Sequence, residues 1–244
     1  MKIQSALLTL ILALSSCTSP SGSTAGLGGG SNRDALGHRP GPCHFRTVVI
    51  DAGHGGKDSG AVSPHTHQRE KDLALDTARR LQSQLGGQFR VVMMRDTDTF
   101  VDLDERAARA SQFGDAILLS IHYNSGPSGM RGPETYFWRM DSHGLAVRAQ
   151  RALASVAGSG NSRGLVRRRL RLTRNPSIPC LLVECGYLSN REEARRCADP
   201  GYRQRLAAAL AQAIRAQDTL GDAGTGPLPP PLNEPPSRAT DARQ

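Results

Sequence analysis

The sequence predicts an α/β fold: a single domain on a mostly parallel, twisted sheet of about six strands, with helices on both faces. Three observations carry this. Short apolar runs such as Thr47-Val48-Val49-Ile50 and Leu181-Leu182-Val183 are continuous rather than alternating, as in strands buried on both faces. Longer segments between them repeat apolar residues at helical spacing. The two kinds of segment alternate along the chain, as strand–helix–strand units do.

Taken in order, residues 46–51 read as a buried strand. Residues 70–85 form a helix, with Ala74, Ala78, Leu81 and Leu85 at helical spacing and Gly86-Gly87 as its stop. A second strand follows at 89–94, a short helix at 102–112, a third strand at 116–122 and a fourth at 134–138. Residues 142–156 make a helix with Leu145, Ala149, Leu153 and Val156 on one face. Strands are expected at 165–173 and 180–184. Asp199 then caps a last helix with Pro200 at its first position, and Tyr202, Leu206, Leu210 and Ile214 mark its buried stripe.

The flanks read differently. Lys2 and the apolar run 3–14 form an export signal, and Leu14-Ser15-Ser16-Cys17 resembles the lipobox of bacterial lipoproteins. An ordinary cleaved signal is the plain reading; the resemblance instead implies a signal over 1–17 and a lipid anchor on Cys17, in the periplasm or cell envelope. Thr18, in place of the aspartate associated with inner-membrane retention, points to the outer membrane. Residues 18–44 are rich in Gly, Ser and Pro and read as a flexible linker; residues 218–244 read as a Pro-rich disordered tail. The folded domain is expected over 45–217.

No apolar run reaches the roughly 18 residues of a spanning helix, which excludes a polytopic membrane protein. The net charge of +9 resides in residues 45–217, so the domain itself favours an anionic partner. Export, and the lack of a basic stripe interleaved with aromatics, exclude nucleic acid. Cys43, Cys180, Cys185 and Cys197 remain beside Cys17. Cys180 and Cys185 on one strand stand roughly 16 Å apart, too far to bond, so any bridge uses Cys43 or Cys197. No CxxC spacing suggests a thiolate zinc site.

Parallel sheets place their sites outside the carboxyl ends of the strands. His54 follows the first strand, Glu70 opens the first helix, His122 follows the third strand and Glu184 ends the last. Two histidines, one carboxylate and an open position make a catalytic zinc set, and a further carboxylate can act as general base. Each residue also has a plainer reading: His54 in a turn, His122 as a satisfied strand-end histidine, Glu70 favouring a helix start. Glu184 has the weakest alternative, because a carboxylate closing an apolar run is costly unless paired or liganded. His65 and His67 form a rival H-x-H pattern and read as loop residues. Neither the P-loop pattern nor GxGxxG is present.

The segments VVIDAGHGGKDSGA (48–61), REKDLALD (69–76), MRDTD (94–98), SIHYN (120–124), GPETYF (132–137) and LLVECGYLSN (181–190) resemble, in order, the zinc-dependent N-acetylmuramoyl-L-alanine amidases of the amidase 3 family. The resemblance spans residues 46–216. It implies an amidase catalytic domain with His54, Glu70 and His122 as ligands of Zn2+ and Glu184 as the catalytic glutamate. It also implies peptidoglycan as substrate, cut between the lactyl group of N-acetylmuramic acid and L-alanine by a zinc-activated water, in wall remodelling or daughter-cell separation. Tyr123 and Cys185 depart from the small and aliphatic residues usual at these places, and neither departure removes a ligand. A thiol nucleophile at Cys185 is the weaker reading, since a strand-end cysteine is more often a small core residue.

Some relatives carry a long helical insertion between the second histidine and the catalytic glutamate. That interval is short here, which implies an unblocked monomer that needs no activator protein. The run 163–174 holds six arginines, either a solvated face or a contact for stem-peptide carboxylates; strand alternation would put Arg167, Arg169 and Arg171 on one face. Two rival functions are a wall-binding lipoprotein without catalysis and an exported zinc carboxypeptidase. The complete His-Glu-His plus Glu set argues against the first, and product identity separates the second.

Overall fold

A computed structural model describes residues 40–158 and 160–232. The export signal, Cys17, most of the linker and residues 233–244 lie outside the described residues. Thirteen elements run in the order β1 (Thr47–Ala52), α1 (Glu70–Leu85), β2 (Arg90–Met93), α2 (Leu103–Ala110), β3 (Ala116–Asn124), β4 (Glu134–Phe137), a single 3-10 turn (Met140–Ser142), α3 (His143–Ala157), β5 (Gly164–Arg167), α4 (Arg171–Arg174), β6 (Cys180–Tyr187), α5 (Arg191–Ala198) and α6 (Pro200–Leu220).

The six strands form one sheet in the order β2-β1-β3-β6-β4-β5. Every neighbouring pair is parallel except β4 and β6. The mostly parallel sheet follows from the continuous apolar strands: β1, β3 and β6 are buried along their whole length. Strand alternation sorts their side chains into two cores. Val48, Ile50, Ile117, Leu119, Ile121, Leu181 and Val183 pack with Leu73, Leu81, Leu145 and Leu206 of α1, α3 and α6. Val49, Leu118 and Cys180 face the other way, onto Ala107 and Ala110 of α2 and Leu172 of α4. Helices therefore cover both faces, as the sequence predicts.

Helix α6 starts where its cap requires: the Asp199 carboxylate accepts the N–H groups of Gly201 at 2.9 Å and Tyr202 at 3.0 Å, and Pro200 needs no donor there. The helix runs on to Leu220, past the boundary that the proline content suggests. Its end binds the incoming chain. Gly41 N donates to Asp222 Oδ2 at 2.8 Å, and His44 N donates to the Asp218 carbonyl at 2.9 Å. Residues 221–232 continue along the domain, with Arg148 donating to the carbonyls of Gly221 and Ala223 and Leu232 N donating to the Arg167 carbonyl.

The expected strand over 165–173 is corrected. It stops at Arg167, and the chain folds into the single turn α4. Leu170 and Leu172 are both buried, and the Thr173 hydroxyl donates to the carbonyls of Arg168 and Leu170, which closes the turn. Arg167, Arg169 and Arg171 therefore share no strand face. Arg167 Nε donates to the Trp138 carbonyl, while Arg171 Nη2 reaches Asp104 at 2.7 Å. Helix α5, absent from the sequence reading, is charged over most of its surface and buries Glu193, Ala194 and Cys197. Cys43, Cys180, Cys185 and Cys197 are free thiols, all buried except Cys43.

Candidate metal centre

At the carboxyl end of β1 the chain passes Gly53, whose N–H donates to the Ile121 carbonyl at 3.0 Å and so prolongs the ladder to β3. A Cβ at Gly53 would collide with the His122 imidazole, so only glycine lets the two segments lie this close. His54 then takes a left-handed backbone conformation, φ 60°. That turn aims its ring over the sheet edge, towards the amino end of α1, where Glu70 projects. His122 comes from the end of β3. His54, Glu70 and His122 bring one ligand atom each to within 4.8 Å of one another.

The hydrogen bonding around these atoms defines their chemistry. His54 Nδ1 donates to Asp58 Oδ2 at 2.7 Å, which leaves Nε2 as the nitrogen with the lone pair. Nε2 lies 2.9 Å from Glu70 Oε1, yet it is buried and has no aligned hydrogen-bond partner. A lone pair facing a carboxylate oxygen at that distance is favourable only with a proton or a cation between them. His122 Nδ1 lies 2.9 Å from the same Oε1. The backbone N–H groups of Ala61 and Tyr123 donate to Glu70 Oε2 at 2.9 Å and Oε1 at 3.1 Å, so the carboxylate is held in place and ionised.

The electrostatics agree. Burial alone would raise the Glu70 carboxyl, but the two imidazoles hold it well below the carboxylate range. Burial alone would lower His54, but the Glu70 and Asp58 carboxylates push it up to about 10. This nest thus binds positive charge strongly. With a metal ion in place of the His54 proton, two imidazoles and one carboxylate are a zinc donor set, and the residues present fit that ion. Asp58 is the outer carboxylate that fixes the His54 tautomer.

Glu184 stands directly opposite His122 in the β3–β6 ladder. It is 1% exposed, and its Oε2 has no hydrogen-bond partner. Burial, with the negative charge of Glu70, pushes its carboxyl well above the usual range. On the other side of Glu184, in the antiparallel ladder, sits Glu134, which accepts the hydroxyls of Tyr136 at 2.7 Å and Tyr187 at 3.1 Å. Of the arginine run, Arg163 reaches this wall, 3.7 Å from Glu134 and over the Tyr187 ring. His65 and His67 stand outside the cluster: His65 Nε2 donates to the Ser189 carbonyl at 3.2 Å.

The structure adds residues to which the sequence reading gave no role. Arg95 donates to the carbonyls of Ala52, Gly53 and Lys71. Arg106 donates to those of Ala52 and His54 and pairs with Asp51. Lys71 Nζ binds the Gly56 carbonyl at 2.8 Å and Asp98 at 2.7 Å, and Asp98 accepts the Gly56 N–H at 2.8 Å. These cations fasten the loop that carries His54. The signal that could have revealed them is the placing of Lys71, Arg95 and Asp98 within the REKD and MRDTD segments.

The family model described as N-acetylmuramoyl-L-alanine amidase, amidase 3, matches residues 48–216. The chain is 34% identical over 178 residues to the uncharacterized protein YqiI of Bacillus subtilis, covering 71% of this chain and 85% of that protein. It is 32% identical over 176 residues to the probable cell wall amidase LytH of Staphylococcus aureus, covering 71% of this chain but 59% of LytH. Among solved structures it is similar to an N-acetylmuramoyl-L-alanine amidase from Clostridium difficile 630, with a TM-score of 0.67 and 32% identity over 73% of this chain and 100% of that one. The catalytic domain of the amidase CwlV from Bacillus (Paenibacillus) polymyxa gives a TM-score of 0.66 and 35% identity, over 70% and 96% of the two chains.

Proposed function

The chain belongs to the amidase 3 family of N-acetylmuramoyl-L-alanine amidases, and from that premise we propose that it hydrolyses the amide between the lactyl group of N-acetylmuramic acid and L-alanine in peptidoglycan. The observation that carries this reading is the convergence of His54, Glu70 and His122 beside an unpartnered carboxylate oxygen of Glu184.

His54, Glu70 and His122 would hold zinc, which when bound acidifies a water and polarises a carbonyl. Asp58 keeps the proton of His54 on Nδ1, so Nε2 stays free as a donor of electrons. The backbone N–H groups on Glu70 fix its carboxylate against reorientation. Glu184 has the higher proton affinity of the two site carboxylates. In its ionised form, its free Oε2 takes the proton of the attacking water and returns it to the leaving amine of L-alanine. The division of labour follows from environment: the carboxylate between two imidazoles stays ionised, and the one left unpaired exchanges a proton.

Two further parts of the reading concern place and role. A lipid on Cys17 would hold the enzyme at the cell envelope, on the outer-membrane side, and wall remodelling or daughter-cell separation would be its task. No helix among the described residues is long and apolar enough to cross a membrane. Incorporation of labelled palmitate into the full chain, lost in Cys17→Ala, tests the anchor.

The reaction is tested by mass spectrometry of muropeptides digested by the zinc-loaded full chain. Peptides with a new amino-terminal alanine, beside glycan with free lactyl groups, are expected. Cleavage within the peptide would assign the site to a carboxypeptidase, and intact muropeptides would leave a tethered binder. Glu184→Gln should retain stoichiometric zinc and lose about a hundredfold or more in rate, the range of a general base. Near-normal turnover in that variant would remove Glu184 from the mechanism.

A further inference from the structure

Among the loops that follow the carboxyl ends of β1, β3 and β6 lies an open cavity of about 420 Å³, lined by His65, Ser128, Asn190, Arg191, Glu192 and Arg195. Each of its walls continues a segment of the site. His65 belongs to the loop between His54 and Glu70, Ser128 lies six residues beyond His122, and Asn190 six beyond Glu184. The walls are tied together. His65 donates to the Ser189 carbonyl, Gly126 N donates to Ser189 Oγ at 3.0 Å, and Asn190 Nδ2 donates to the Ser128 carbonyl at 2.8 Å.

The charge of this cavity is unbalanced. Glu192 is engaged by Arg196 at 2.6 Å. Arg191 and Arg195 are exposed, line the cavity and have no carboxylate partner among the described residues. They stand four apart on α5, where neighbouring like charges repel along the helix surface. Two unpaired guanidinium groups on one helix face, over a cavity, are suited to an anion that bridges them, and a carboxylate matches the guanidinium fork.

We infer that this cavity is a carboxylate-binding subsite, which holds the peptide limb of the substrate through Arg191 and Arg195. The inference rests on the amidase reading for the identity of that limb. The scissile amide joins a glycan to a peptide. N-acetylated sugars carry no charge, so of the two limbs the peptide supplies the carboxylates. The cationic cavity therefore takes the leaving side of the bond, and the neutral glycan lies elsewhere along the sheet edge.

The test uses the zinc-loaded full chain and a soluble L-alanyl-γ-D-glutamyl peptide, compared by calorimetry with the same peptide whose carboxylates are amidated. The wild type should bind the acid form about tenfold tighter than the amide, as one charge-assisted pair predicts. Arg191→Glu with Arg195→Glu should abolish that preference while the melting temperature stays unchanged. On cleavable muropeptide the double variant should raise KM about tenfold and keep kcat within about twofold, which is a loss of ground-state and transition-state binding alike. Equal binding of the two peptides by the wild type, absent binding of the acid peptide, or an unchanged preference in the double variant would each overturn the subsite. Because the calorimetry needs no scissile bond, it separates this inference from the amidase reading: a wild type that binds the acid peptide but leaves muropeptides intact keeps the subsite and refutes the reaction.

Discussion

Arg106 and Asp51 form an ion pair beneath the loop that carries His54, and both side chains are closed to solvent. The same guanidinium donates to the carbonyls of Val101, Ala52 and His54, so one side chain joins α2, β1 and the metal loop. Asp51 is paid for in turn by the Ser120 hydroxyl at 2.6 Å. Breaking a buried pair from one side leaves the other charge stranded. Arg106→Leu should therefore cost about 3–5 kcal/mol in urea unfolding. Arg106→Lys should recover only part, because an ammonium cannot reach all these acceptors in one plane. A variant as stable as the wild type would show that the pair is dispensable.

Asp58 touches the proposed zinc only through His54. Asp58→Ala should lower zinc affinity about 10–100-fold, the usual effect of losing an outer partner of a ligand histidine. Competition against a fluorescent chelator reads this directly. Circular dichroism should be unaltered, since Asp58 is partly exposed in a loop.

Gly60 has φ +61°, and a Cβ there would come within 2.6 Å of both Glu70 Oε2 and His54 Cδ2. Gly60→Ala should displace two of the three proposed ligand side chains at once. The expected result is a loss of zinc at equilibrium dialysis with a melting temperature that falls by only a few degrees, because the strain is confined to the loop. Full zinc occupancy in this variant would mean that the loop can relax at no cost to the site.

Asp76 on α1 is shared by Arg80 at 2.8 Å and Arg203 of α6 at 2.5 Å. Burial would raise its pKa, but the two guanidinium groups bring it below the carboxylate range. The sign follows: the native state favours the ionised form, so this contribution is fully present above the ordinary aspartate pKa of about 3.9 and is lost as pH falls through the lowered native value. Thermal unfolding of the metal-free protein should fall less steeply below about pH 4 in Asp76→Asn than in the wild type. Parallel curves would show that the pair carries no linkage.

Much of this was legible in the residues. Helix α1 occupies the range that its apolar spacing and the Gly86-Gly87 stop define, and Asp199 with Pro200 marks the start of α6. His54, Glu70, His122 and Glu184 meet because each closes or opens an element on one sheet edge, and the parallel ladder β1-β3-β6 brings those ends together. Periodicity does not encode strand order or direction, so the reversal of β4 was invisible, and with it the pairing of Glu134 to Glu184. The run 165–173 misled because Leu170 and Leu172 alternate with arginines as a strand would, while Thr173 back-bonding closes a turn instead. Helix α5 escaped notice because it needs little apolar surface, and only Ala194 and Cys197 give it a buried apolar edge. Arg95 and Arg106 look like solvated charges until the carbonyls that they gather are seen.

The bond from Gly41 to Asp222 has a mechanical meaning. It joins the segment leading into the domain to the segment leaving α6, at the amino end of β1, away from the edge where His54 turns. The two flanks part at this clasp: residues 41–44 enter beside residues 218–222, while residues 223–232 leave along α3 to the Arg167 carbonyl. The clasp and the ligands stand at opposite ends of β1, so a change at residues 41–44 should loosen the entry of the chain and leave the spacing of His54, Glu70 and His122 as it is.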